Sequence, residues 1–143
     1  MHASNAVAAI LVLEDGRYVM QLRDNIPGIF YPNHWGCFGG AVDPGERPLH
    51  ALKRELMEEV TFRIRTAAEF TRFYFDLRRL GQEKVYRIYY EVPIKIKEIG
   101  KLVLHEGKSI GVFSGRQLLA KQRVTPYDSF AILLHCRKET FSS

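Results

Sequence analysis

The stretch Gly40 to Phe62, GAVDPGERPLHALKRELMEEVTF, decides how this chain is read. Its turn, Asp43-Pro44-Gly45, is built from residues that favour turns, and Pro48 stands where a helix tolerates proline, in the first turn. From there the spacing predicts a helix over residues 48–60. Leu49, Leu52, Leu56 and Val60 gather on one sector of it, while Glu55, Glu58 and Glu59 share a neighbouring sector roughly 100° wide. Carboxylates at i, i+3 and i+4 repel one another by a few tenths of a kcal/mol per pair, so a cation should offset them. Hard oxygen donors suit Mg²⁺ or Mn²⁺, and Mg²⁺ commonly shares its shell with substrate phosphates.

The segment resembles the signature of the Nudix hydrolases: Gly, five residues, Glu, seven residues, then Arg-Glu-aliphatic-x-Glu-Glu-x-Gly-aliphatic. Here Gly40, Glu46, Arg54, Glu55, Leu56, Glu58, Glu59 and Phe62 stand in register, and only Thr61 departs, where the signature has glycine. A charged run such as KRELMEE is by itself usually a solvated helix face; the whole spaced pattern is far rarer. Glu46 taken alone also reads as a helix cap or as a residue favouring the positive end of the helix dipole. The resemblance implies an α/β fold, the Nudix α/β/α sandwich with a mixed β-sheet, as one domain over residues 1–143. It also implies a Mg²⁺-dependent pyrophosphohydrolase, with Mn²⁺ able to substitute.

By the same resemblance Glu58 and Glu59 are the core metal ligands, Glu55 is a further ligand or the general base, and the Gly39 carbonyl completes the shell. Arg54 would orient these acids through charge-assisted hydrogen bonds. Family members often add an acid from a loop after the central strands; Glu106, in Leu104-His105-Glu106-Gly107-Lys108, stands in that place, with Glu98 as its rival. Upstream, Arg23, Asn25 and Pro27, followed by Trp35, are similar to the matching part of GDP-mannose mannosyl hydrolases, which implies substrate contact for Arg23, Asn25 and Trp35. Trp35 taken alone reads first as a core aromatic. Asp128, at the start of the last helix, is where some relatives read a nucleobase; its bland alternative is a helix cap.

Composition bounds the rest. A chain of 143 residues, 46% hydrophobic and 26% charged, can bury a core of its own. No run approaches the length of a membrane span, and Ala6 to Leu13 lacks the flanks of a signal peptide, so a cytoplasmic protein without a membrane partner is expected. Cys37 and Cys136 make neither a metal spacing nor a disulfide framework. The net charge is +5, yet residues 40–62 hold five acids and three bases, leaving an acidic pocket in a basic body. Such a distribution favours a polyphosphate, and the scattered basic groups argue against a stable nucleic-acid partner. The resemblance makes a nucleotide-type small molecule the expected ligand. The family offers the homodimer as an assembly, on which the residues are silent.

Elsewhere the pattern predicts a hairpin over Ala6–Leu13 and Tyr18–Leu22, β segments near 62–76 and 84–96, a strand at 109–113, and helices near 115–120 and 126–138. With three β-favouring residues, Thr61, Phe62 and Ile64, at its exit, the catalytic helix is expected to stop without a left-handed cap, Thr61 keeping negative φ. The resemblance leaves two other functions to weigh: a noncatalytic nucleotide-binding module, which would have lost acids of the signature, and an isoprenoid-diphosphate isomerase, which shares the fold and would need a dedicated cysteine. This chain keeps every acid, and neither of its cysteines fits that role.

Overall fold

The computed structural model describes residues 3–120 and 122–138. Strands β1 (Ala6–Val12) and β2 (Tyr18–Leu22) form the expected antiparallel hairpin, with Leu11 opposite Val19. After a long loop come β3 (Trp35–Gly36) and β4 (Phe38–Ala41), then α1 (Pro48–Val60). The antiparallel pair β5 (Ala68–Asp76) and β6 (Lys84–Pro93) follows, linked through a short 3₁₀ turn at Arg78–Leu80. The chain continues through α2 (Ile96–Ile99), β7 (Ser109–Phe113), α3 (Gly115–Ala120) and α4 (Pro126–Cys136).

The sheet is mixed. β6 runs parallel to β1 along all of Ala6–Val12, so β1 has only its other edge for antiparallel partners. That edge is shared: β4 takes Ala6 to Ala9 and β2 takes Leu11 and Val12. The sheet forks there, and the β3–β4 segment crosses the fork, pairing first with β2 and then with β1.

Pleating sorts β1 between two cores. Val7, Ala9 and Leu11 pack with Leu52, Leu56 and Val60 of α1, whereas Ala8 and Ile10 pack with Ala131 and Ile132 of α4. The same alternation on β6 sends Ile88, Tyr90 and Val92 to the first core and Tyr89 to the second. One helix layer therefore covers each face, the α/β/α arrangement, and each fully buried aliphatic side chain contributes about 1.5–3 kcal/mol. Among the described residues no helix is long and apolar enough to cross a membrane.

Four sequence expectations change. Thr61 has φ 55° and ψ 42°, a left-handed cap, contrary to the negative φ expected. The reason lies in the helix end: the N–H groups of Thr61 and Phe62 donate to the Met57 and Leu56 carbonyls at 3.1 and 3.2 Å, and the turn swings Phe62 back into the α1 core. Tertiary packing of Phe62 outweighs the local preference of a β-branched residue. Residues 62–67 are accordingly irregular, β5 starting only at Ala68. Leu49, in the first turn of the helix, is exposed, and the buried face runs instead through Ala51, Leu52, Leu56, Glu59 and Val60. Finally, the expected 84–96 strand ends at Pro93 and gives way to α2.

Candidate active site

Two glycines bring β4 against α1, each for its own reason. Gly39 has φ 147°, and a Cβ there would lie 2.1 Å from the Val7 carbonyl oxygen, so no side chain fits beside β1. At Gly40 a Cβ would lie 2.5 Å from the Glu55 carboxyl carbon; the missing side chain is the space the carboxylate fills. Gly39 N–H donates to Glu59 Oε1 at 3.0 Å.

Arg54 is the hub of the acids. Its Nε and Nη2 donate to both oxygens of Glu46 at 2.8 and 2.9 Å, a bidentate pair, while Nη1 reaches Glu55 at 3.1 Å and Glu58 at 3.2 Å. Nη2 also donates to the Ala41 carbonyl. Glu46 is thus the anchor of Arg54 rather than a helix cap; Arg47 occupies the cap position, without a side-chain cap bond. The arginine holds the Glu46 carboxyl down at about 2, and a second hydrogen bond, from the Asp43 N–H, adds to this. His50 lies on the same carboxylate, Nδ1 to Oε2 at 2.9 Å.

Glu59 is 2% exposed, and burial pushes its carboxyl up to about 9, helped by the nearby Glu55 and Glu106 charges and opposed by the Gly39 N–H. Glu55 is raised as well, first by burial and then by Glu58 and Glu106, against the pull of Arg54. Glu55, Glu59 and Glu106 are therefore close enough to feel one another, whereas Glu58 is half exposed and turned to Arg54. Glu98 is elsewhere: it pairs with Arg65 at 2.6 Å and closes the capping box of α2.

Among the described residues, no three His, Cys, Asp or Glu side chains stand ready-clustered around an ion as they lie. The donors nonetheless fit a hard divalent cation: they are carboxylate oxygens, one is buried with no cationic partner among the described residues, and their mutual repulsion is what a cation would relieve.

Beside the two glycines opens a cleft of about 480 Å³ whose walls include Arg23, Phe30, Phe75, Tyr86, Arg87 and Tyr127. Of the residues expected to touch substrate, Arg23 lines it, its Nε tied to the Phe30 carbonyl at 2.9 Å. Asn25 is exposed and outside the cleft lining. Trp35 packs edge-on against Phe113, ring centroids 4.8 Å apart, within the α4-side core.

Asp128 is buried with all its acceptor positions taken. Oδ1 accepts from Tyr89 Oη at 2.5 Å and Arg87 Nη2 at 3.2 Å; Oδ2 accepts from Cys37 N–H at 3.0 Å and Thr125 Oγ1 at 2.8 Å. Its work is to hold Arg87. Burial disfavours the charge on Arg87, but Asp128 and Tyr89 outweigh that and keep the guanidinium protonated, stacked 4.7 Å from the Tyr127 ring centre. Arg87 and Tyr127 are the cleft residues that sequence reasoning missed. The one signal was an arginine on the otherwise apolar Val85-Arg87-Tyr89 face of a buried strand.

The profile of the NUDIX domain matches residues 2–130 of this chain. Nucleoside triphosphatase NudI of Escherichia coli O1:K1 / APEC is 35% identical over 86 residues, which are 55% of this chain and 60% of NudI, so the match spans less than two thirds of that relative. The MutT protein of Methanosarcina mazei Go1 superposes with TM-score 0.78 at 19% identity, covering 95% of this chain and 94% of its own. The E. coli ORF135 protein does so with TM-score 0.74 at 23% identity, covering 98% and 94%. At these identities the two structures speak for the fold. With the box helix, its glycine turn and the forked mixed sheet all in place, the chain belongs to the Nudix hydrolase family.

Proposed function

We propose that the protein is a Mg²⁺-dependent pyrophosphohydrolase of nucleoside diphosphate derivatives, with nucleoside triphosphates and nucleotide sugars as leading substrates. The observation that carries this reading is the seating of Glu55 against Gly40 and of Glu59 on the Gly39 N–H, two glycines that also line a cleft walled by aromatic and arginine side chains. Glu58, Glu59, Glu106 and the Gly39 carbonyl would hold the cation, which would neutralise phosphate charge and make water a better nucleophile. Arg54, fixed by Glu46, keeps Glu55 and Glu58 oriented. Glu55, packed on Gly40 with its proton affinity raised, is suited to accept a proton from the attacking water. Arg87 and Tyr127 would receive the base, and Arg23 the portion between. The name of NudI supports triphosphates, and Arg23, the member of the upstream pattern that lines the cleft, supports nucleotide sugars. Such substrates would place the enzyme's work in the cytoplasm.

The test is a screen of nucleoside triphosphates, nucleotide sugars, dinucleoside polyphosphates, NADH and ADP-ribose with Mg²⁺ or Mn²⁺, run in ¹⁸O-water with both products identified. Label in a phosphate-containing product is expected. Label on an anomeric sugar oxygen would favour attack at carbon, as in the mannosyl hydrolases, and no metal-dependent turnover of any substrate would favour a noncatalytic module.

A further inference from the structure

We propose that Thr61 and His105 form a clasp that positions Glu106 against the acids of α1. The inference rests on reading Glu106 as a member of that site, and it begins from a backbone outlier. Thr61 sits at φ 55°, a conformation that disfavours β-branched residues and that glycine adopts freely. The cap itself uses only backbone N–H groups, so glycine would serve it equally. What glycine would lack is the hydroxyl, and Thr61 Oγ1 lies 2.8 Å from His105 Nε2 in a hydrogen bond.

The bond does not stand alone. His105 N–H donates to the Glu59 carbonyl at 2.7 Å and Val103 N–H to the Val60 carbonyl at 3.0 Å, so the loop takes over carbonyls that the end of α1 leaves unpaired. His105 is thereby held through its backbone and its ring to two residues of the helix exit. On the far side of Glu106 the loop is fixed to β2 and the segment after it. Gln21 Nε2 donates to the Glu106 carbonyl at 2.8 Å, and Gly107, at φ 85°, donates its N–H to Asp24 Oδ2 at 3.2 Å. Glu106 is thus the residue between two anchors, one on α1 and one on β2. Loss of the side-chain bond would leave the α1 side held by the two backbone bonds alone and give the Glu106 carboxylate more freedom to move from Glu55 and Glu59. Thr61 and His105 are positioning residues, their side chains being spent on each other.

Four variants separate this role from a surface contact. Thr61→Val keeps the shape and removes the hydroxyl, Thr61→Ser keeps the hydroxyl, Thr61→Gly removes both the hydroxyl and the strain, and His105→Ala removes the ring. Removing one net hydrogen bond corresponds to about a threefold to tenfold change in occupancy of the held loop. Thr61→Val and His105→Ala should therefore lose about that factor in kcat with KM little changed, and amide exchange at residues 103–107 should quicken, a readout that needs neither metal nor turnover. Thr61→Ser should behave as wild type. Thr61→Gly should melt no lower than wild type yet share the kcat of Thr61→Val, a split that a purely structural threonine would not give. Wild-type kcat and exchange in both Thr61→Val and Thr61→Gly would overturn the clasp. Glu106→Gln tells the two readings apart: its loss of turnover beside silent Thr61 variants overturns the clasp alone, and its own silence overturns the role of Glu106 and the clasp together.

Discussion

Burying a carboxylate with no cation beside it raises its affinity for a proton, and Glu59 shows the effect most strongly, its carboxyl pushed from 4.5 up to about 9. Between those values the folded protein keeps a proton that the unfolded chain has released. Unfolding then releases a proton, so the stability of the metal-free protein should fall as pH rises from about 4.5 towards 9. A divalent cation should reverse the trend, because it replaces the proton. Thermal melts with chelator and with Mg²⁺ across pH 5 to 8 check this: the stabilisation by metal should grow with pH, and Glu59→Gln should flatten the metal-free slope. A metal effect independent of pH, or an unchanged slope in the variant, would show that Glu59 is not the carboxylate that meets the cation.

At the scale of elements, the two faces of the sheet carry different duties, α1 presenting the acids and α4 closing the far core. His135 of α4 is buried there, its Nδ1 2.7 Å from Tyr18 Oη and its Nε2 3.4 Å from Glu91 Oε1. Burial, with the Lys138 charge, lowers its pKa below the ordinary 6.5 despite Glu91. A depressed histidine binds a proton more readily once unfolded, so it costs stability as pH falls below about 6.5. His135→Leu should weaken this acid sensitivity, giving a shallower loss of melting temperature than wild type between pH 6.5 and 5.5; parallel curves would contradict it. The bounds of α1 were legible in the sequence, because Pro48 and the apolar and acidic spacing are local signals. Its exit was not. Thr61 takes its left-handed φ because Phe62 must return to the core, a demand set by contacts that no window around residue 61 contains.

Across the whole molecule the register of three strands sets the reach of the cleft. Ala41 of β4 and Arg87 of β6 both stand opposite Ala6 of β1, so two strand spacings, roughly 10 Å, separate the acidic end from the arginine. The proposed nucleotide substrate, laid across the sheet, would span that distance with its phosphates at Gly40 and its base at Arg87. Arg87→Ala should raise KM at least about tenfold with a smaller change in kcat, and should lower stability by about 1–3 kcal/mol because Asp128 loses a buried partner. Steady-state kinetics beside a thermal melt decide it; an unchanged KM would remove Arg87 from the substrate. This half of the site was hidden from the sequence for a plain reason. Asp128 meets Arg87, Tyr89 and Cys37 only after β6, the β3–β4 segment and α4 have assembled, so its carboxylate reads as a base contact until its partners are seen.

Glu58 offers the most direct test of the account, since its half-exposed side chain tolerates substitution without disturbing the core. Turnover of Glu58→Gln at saturating Mg²⁺, on the best substrate from the screen, should fall at least about 10²-fold while the protein melts as wild type does. Comparable turnover by the folded variant would contradict the claim that the acids of α1 carry the chemistry.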